Sequence, residues 1–247
     1  MRGGAESIGC FPTGRHYPGI AHLLRVVAAG LAEEFASELA LDDLLLVAID
    51  TETTGRDPEV DRAVEVACVF YRAGEVVERR SWLINPGRPI PKEASDVHGI
   101  NDDAVKQAPG FAVVAAELIQ VLTGAVPVAY NAEYDRKVLA AELSRAGIAP
   151  EVLPPALRRN VEWIDPLIWA RELHRAEKSR ALSEVAQRLG IPLENAHRAT
   201  DDAEATLHVF TAFRRDPRVP KTYGALMQEQ RRLARLFDEQ HKVWRRA

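Results

Sequence analysis

The run LLLVAIDTETTG, residues 44–55, constrains this chain more than any other stretch. Six uncharged residues, 44–49, lead into Asp50 and Glu52, one residue apart, and then into Thr53, Thr54 and a glycine. An apolar run of that length, with β-branched members, predicts a strand buried near the middle of a sheet. Side chains two apart on a strand share a face, so Asp50 and Glu52 leave its end on the same side. Two carboxylates there repel each other and are costly to desolvate unless a cation lies between them. An isolated D-x-E reads equally well as a solvated strand end before a polar turn, so the pair takes its meaning from the acids further along the chain.

The 247 residues suffice for a full core and fit one domain with appendages better than two equal domains. A formal net charge of -4 gives no general pull toward nucleic acid, although an enzyme acting on a chain end needs only a local patch and a metal. Two cysteines, Cys10 and Cys68, are too few for a disulfide framework or a sulfur-based zinc site, and Cys68 falls in an apolar run as a core thiol. No stretch reaches the roughly 18 apolar residues of a membrane helix, and the N-terminus lacks the pattern of a secretory signal. The expectation is a cytoplasmic protein with no membrane partner.

Along the chain, apolar positions over residues 20–39 recur at helical spacing and predict an amphipathic helix within an N-terminal extension, residues 1–43. The main domain is expected over residues 44–213. Residues 63–71 and 75–84 read as strands joined across Ala73-Gly74, which with the first strand makes three consecutive antiparallel strands. The segment NPGRPIPKEASDVHGI, residues 85–100, is too rich in proline and glycine to be regular. Helix patterns at 111–122 and 132–146 flank a short strand at 125–129, and residues 161–164 read as a fifth strand. Helices are expected at 167–174, 181–189 and 203–213. The fold class that results is α/β: a mixed five-stranded sheet, three antiparallel strands followed by two strand-helix units, with helices packed on the sheet. Residues 214–247 form a basic helical tail with ten Arg/Lys against four Asp/Glu. Leu226, Leu233, Leu236 and Phe237 mark an apolar edge on it. The tail either adds salt-sensitive affinity for phosphate or packs on the body or a second subunit.

Two further acidic positions bear on the first pair. In YNAEYD, Asp135 lies on the helix after the fourth strand; in HRATDDA, His197 precedes a helix that opens with Asp201 and Asp202. Four carboxylates from these places can converge at one end of a sheet. An oxygen-only ligand set suits magnesium or manganese, not zinc or iron. Two such ions about 4 Å apart can hold a scissile phosphate, and a histidine at the rim has the pKa range to take a proton from water.

In order and spacing, D-x-E at Asp50 and Glu52, N-A-x-x-D ending at Asp135, and H-x-A-x-x-D from His197 to Asp202 resemble the DEDDh exonucleases. That family includes the proofreading subunit of bacterial replicative DNA polymerase, tRNA-trimming ribonucleases and oligoribonucleases, and the NPGRPIP and VHGI segments resemble the proofreading branch. The resemblance, over residues 44–213, implies a ribonuclease-H-like sheet and release of mononucleotides from a free 3′ end of nucleic acid. It implies that Asp50 bridges two metals (Mg2+ or Mn2+), that Glu52 and Asp202 serve the one positioning the attacking water, and that Asp135 holds the second. His197 would be the general base, and Asp201 a neighbour that tunes the field or favours the helix start.

For substrate binding the resemblance and the turn chemistry single out Thr51, Thr53, Thr54, His98 and Asn131. A turn cap is the alternative for the threonines, local packing for His98, and a helix cap for Asn131. Tyr130 and Tyr134 depart from a histidine and a phenylalanine common in relatives, which bears on the groove and not on the ligands. Lys178 and Arg180, before a helix, could meet phosphate, with a solvated face the favoured reading, and Trp82, Trp163 and Trp169 read as core. DNA is favoured over RNA on the look of residues 85–100, with an exoribonuclease as alternative and a non-catalytic nucleic-acid-binding or scaffold protein as the minor one. A polymerase or other protein is a possible partner.

Overall fold

The computed structural model describes residues 30–193 and 197–244. Its centre is β1 (Leu46–Thr53), flanked by the antiparallel β2 (Ala63–Arg72) and the parallel β4 (Val126–Val128), with β3 (Glu75–Leu83) outside β2. β1 runs four residues past the apolar stretch, so both acids sit on the strand itself. Ala73 and Gly74, with φ of 51° and 97°, form the two-residue β2–β3 turn, where positive φ at both positions matches the twist of a hairpin.

The helices are α1 (Lys92–His98), α2 (Asp102–Val105), α3 (Phe111–Val121), α4 (Glu133–Arg145), α5 (Pro166–Leu173), α6 (Leu182–Arg188), α7 (Ala199–Phe213) and α8 (Tyr223–Trp244). Strand alternation sorts them onto two faces. Leu46 and Ala48 join Ala203, Leu207 and Phe210 of α7 in one core cluster, while Val47 and Ile49 join Leu118 of α3 and Leu139 of α4 in another.

The sheet has four strands in the order β3-β2-β1-β4, which corrects the expectation of five. Residues 161–164 touch it through one isolated parallel bridge, Val128 to Ile164. Two features stop a strand there. Pro166 opens α5 directly, with Asp165 as its N-cap, so the chain turns helical two residues after the bridge. Before the bridge, Glu162 N–H donates to the Gly30 carbonyl at 2.8 Å and not to β4; on the edge away from β4, Asp165 N–H donates to Gln230 Oε1 and Gln230 Nε2 to the Trp163 carbonyl, each at 2.8 Å. A side-chain amide from α8 stands where the next strand's peptide would be.

Two other expectations change. Residues 92–98 do form a helix, α1, which Gly99 ends in the left-handed conformation at φ 73°. Of the amphipathic helix expected at 20–39, residues 20–29 lie outside the described residues. Residues 30–39 form turns, with Leu31 buried and Phe35 edge-on to Tyr223. The helix expected in the C-terminal segment is α8, and it packs on the body: its Leu226, Met227, Leu233 and Phe237 belong to the α7-side core. Each such burial stabilises by roughly 1.5–3 kcal/mol, so α8 is held by its apolar edge.

Candidate active site

At its C-terminal end β1 keeps its alternation and loses its apolar character. Asp50 and Glu52 continue the Leu46–Ala48 face and meet the N-terminus of α7, where Asp202 stands in the first turn. Oxygen atoms of Asp50, Glu52 and Asp202 all lie within 4.8 Å of one another. That spacing and donor set can hold a divalent cation. Asp201, one residue earlier, is outside the group.

Asp135 arrives from the opposite face. β4 pairs with β1 only as far as Ala48, so the peptide groups beyond it lack a strand partner on that edge. The first turn of α4 fills the gap: Asp135 Oδ1 accepts from Thr51 N–H at 3.0 Å and from Thr51 Oγ1 at 2.8 Å. Thr51 is therefore a tether for Asp135, 7% exposed, and also lines the cleft beside the acids.

Burial, followed by the charges of Asp135, Glu52, Asp202 and Glu65, holds the Asp50 carboxyl well above the ordinary range. Burial and the neighbouring acids push Glu52 to about 8. Asp135 is raised to about 7 by burial, against its two Thr51 hydrogen bonds. Asp202 is raised by burial too, with the His197 N–H acting the other way. Such a set is mutually repelling, and only added positive charge relieves it.

His197 stands at the rim, exposed and in the left-handed region at φ 69°, with its N–H donating to Asp202 Oδ2 at 3.1 Å. Next to it, Arg198 approaches Glu65 Oε1 at 3.7 Å. Glu65 belongs to none of the sequence motifs. It pairs with Glu52 across β1 and β2, is 2% exposed, accepts from Ser81 Oγ at 2.7 Å, and has its Oε2 buried with no hydrogen-bond partner among the described residues. One sequence signal does mark it, because a lone glutamate in the AVEVACVFY strand run breaks an otherwise apolar pattern.

Beside the acids lies a cleft of ≈430 Å³ between the β1 turn and α1, lined by Thr53, Thr54, Val97, His98 and Tyr134. His98 Nδ1 accepts from Ile100 N–H at 3.1 Å, so Nε2 carries the proton and donates to the Thr53 carbonyl at 3.3 Å. Burial lowers its pKa and keeps the ring neutral. The Thr53 hydroxyl is within 2.7 Å of Tyr134 Oη, which donates to the Gly55 carbonyl at 2.8 Å. Thr54 is a turn residue: its Oγ1 donates to Asp61 and accepts from Arg62 N–H, each at 3.1 Å.

Asn131 does not cap α4 with its side chain; the N-cap is Ala132, and Asn131 takes φ 68°. The capping acid is Asp165, which accepts from the N–H groups of Asn131, Ala132 and Leu167 at 3.0, 3.1 and 2.9 Å. One buried carboxylate thus steadies the approaches to α4 and α5 together, a role its place before proline did not disclose. Of the expected core tryptophans Trp163 and Trp169 are buried, whereas Trp82 is half-buried against the core on the α3 side, with Nε1 donating to Glu117.

Residues 47–210 match the RNase T-type exonuclease family. The chain belongs to this DEDDh-type 3′-5′ exonuclease family. It is 32% identical over 172 residues to the DNA polymerase III subunit epsilon of Treponema pallidum, covering 69% of this chain and 76% of that protein. It is 31% identical over 171 residues to the PolC-type DNA polymerase III of Thermotoga maritima, covering 69% of this chain but only 12% of the relative. Among solved structures, exonuclease X in complex with 5′-overhanging duplex DNA superposes with a TM-score of 0.56 at 24% identity, over 73% of this chain and 98% of that one. The nuclease domain of 3′hExo, bound to rAMP, gives 0.61 at 17% identity, over 72% and 96%. Both share the fold. No helix among the described residues is long and apolar enough to cross a membrane.

Proposed function

We propose that this chain is a metal-dependent 3′-5′ exonuclease that releases nucleoside monophosphates from a single-stranded or frayed DNA 3′ end. The observation that carries the reading is the Asp50, Glu52 and Asp202 triplet, with oxygens within 4.8 Å and every carboxyl raised. The residues present fit divalent cations such as two Mg2+ or Mn2+ ions: Asp50, Glu52 and Asp202 would hold them, with Asp135 alongside. When bound, the ions supply Lewis acidity to the scissile phosphate and lower the pKa of the attacking water.

The protein's own residues do the rest. The imidazole of His197 accepts the water's proton at a ring nitrogen, and its exposure lets that proton pass to solvent. Asp202 steadies the backbone that carries His197. The terminal nucleoside occupies the cleft between Thr53, Val97, His98 and Tyr134, with the neutral His98 ring holding the floor in place through Thr53. A DNA substrate is supported by the polymerase relatives, and a polymerase or other protein partner is the corresponding setting for a chain of this kind.

The deciding experiment uses 5′-labelled DNA and RNA oligonucleotides of matched sequence. A ladder of 3′-shortened DNA products with Mg2+, abolished by chelator and by a 3′-terminal block, is expected. Faster shortening of RNA would reassign the substrate to the exoribonuclease alternative, and full activity after exhaustive demetallation would overturn the metal reading.

A further inference from the structure

The acids on β1 have a cleft on each side. The nucleoside-sized one lies toward β2, because α1 and its flanks pack on Val64. The other lies past β4, where Tyr130 and Asn131 end the strand. It has a volume of ≈940 Å³, toward the upper end of ligand-binding clefts, and its walls come from α5, residues 174–181, α6 and α8.

Its lining holds Arg171, Arg175 and Arg180 and no acid. Arg175 is paired with Glu172, but Arg171 forms no ion pair among the described residues. Arg180 uses its Nη2 on the Arg175 carbonyl at 2.7 Å, and its Nε is buried with no partner among the described residues. Tyr130 Oη donates to the Arg180 carbonyl at 2.5 Å and fixes that residue to the strand end. A chain with a net charge of -4 has here gathered three arginines of which only Arg175 has an ion-pair partner among the described residues, and Arg180 keeps a buried donor without one. Guanidinium groups so placed match phosphate oxygens. Asn131 links the two sites: it lines this cleft and stands four residues before Asp135.

Resting on the exonuclease reading, we propose that this arginine-lined cleft holds the phosphodiester backbone of the nucleotides preceding the reacting 3′ end, and that α8 forms one of its walls. The terminal nucleoside then sits on the β2 side of the acids, the scissile phosphate at the acids, and the rest of the strand leaves past β4. Phe237 and Gln240 supply the α8 wall. Both lie outside the residues matched by the family, 47–210. The basic character of the C-terminal segment acts here only through position, since the lining arginines come from α5 and residues 174–181.

The test uses the full chain and single-stranded oligonucleotides from two to twelve nucleotides, with Ca2+ in place of Mg2+ for binding. Wild-type affinity should rise with length and fall with salt, with a log-log slope that loses about 0.7 per phosphate contact removed. Arg171→Gln with Arg180→Gln should flatten the length dependence and make the salt slope shallower by about 1.4 for two contacts. Arg171→Lys should restore most of the slope, which a purely structural guanidinium would not. Because Arg180 is half-buried, the exposed Gln240→Glu is the second variant; it should weaken longer oligonucleotides several-fold while the melting temperature stays at the wild-type value. Unchanged salt slope and length dependence in folded variants would overturn the proposal, as would tight binding of poly-glutamate in the cleft without competition by oligonucleotides. Failure of the wild type to hydrolyse a nitrophenyl ester of a nucleoside 5′-monophosphate with Mg2+ or Mn2+ would instead sink the exonuclease reading, because that substrate has no preceding strand.

Discussion

Glu142 and the Asp50 group are both shielded from water, yet only Glu142 is neutralised. It is 1% exposed and accepts from Arg62 Nε and Nη2 at 2.7 and 3.0 Å, from Arg145 Nη1 at 3.2 Å and from Ala63 N–H at 3.2 Å. This network ties α4 to the start of β2 and satisfies the charge it buries. Asp50, Glu52 and Asp202 have no cation among them; Arg198 relieves Glu52 only as a lesser influence. Burial of a carboxylate is therefore no sign of function by itself. The absence of compensation is the sign, because a self-repelling group that folding tolerates implies a ligand that relieves it.

The comparison predicts opposite consequences for the two regions. The largest effect on stability should come from Glu142→Ala, which strands Arg62 and costs about 3–5 kcal/mol in urea unfolding. Turnover per folded molecule should persist. Dead but fully stable protein would erase the distinction between the two acid sets.

Asp50→Asn and Asp202→Asn should reverse that pattern. Turnover falls by roughly 10²–10³-fold, about 2.7–4 kcal/mol of barrier, while the metal-free fold is no less stable because a repulsion has been removed. Activity within a few-fold of wild type for either variant would break the assignment.

Metal and pH come next. Glu52 rises from 4.5 unfolded to about 8 folded, so its contribution to stability is fully present below 4.5 and is lost as pH rises through 8. Asp135, raised to about 7, acts in the same direction. Chelator-treated protein should therefore lose melting temperature across this window. Mg2+ at a hundred times its Kd should return about 2.7 kcal/mol at the alkaline end. A flat profile without metal would show that the acids are compensated after all. The smallest effect belongs to Asp201→Asn, within about 0.5 kcal/mol of stability and a few-fold in rate; a dead Asp201 variant beside an active Asp202 variant would shift the register of the third motif.

Much of this site was legible in the residues because its parts are local. Alternation along 44–53 put Asp50 and Glu52 on one face, and the resemblance to the family's third motif, with its acid five residues after the histidine, pointed to Asp202 over Asp201. The hairpin at Ala73-Gly74 and the layered α/β character arise from the same short-range rules. What needed the tertiary structure was every decision made by a distant partner. Thr51 serves Asp135 because β4 stops at Val128, and Glu65 joins the acids only through its pairing with Glu52. Residues 161–164 have a strand's composition, but Pro166 opens a helix two residues past the bridge and the Gly30 carbonyl takes the Glu162 N–H, so a single bridge to β4 is all that forms. Periodicity reports which face a side chain takes; it carries no information on which remote group has already claimed the backbone's hydrogen bonds.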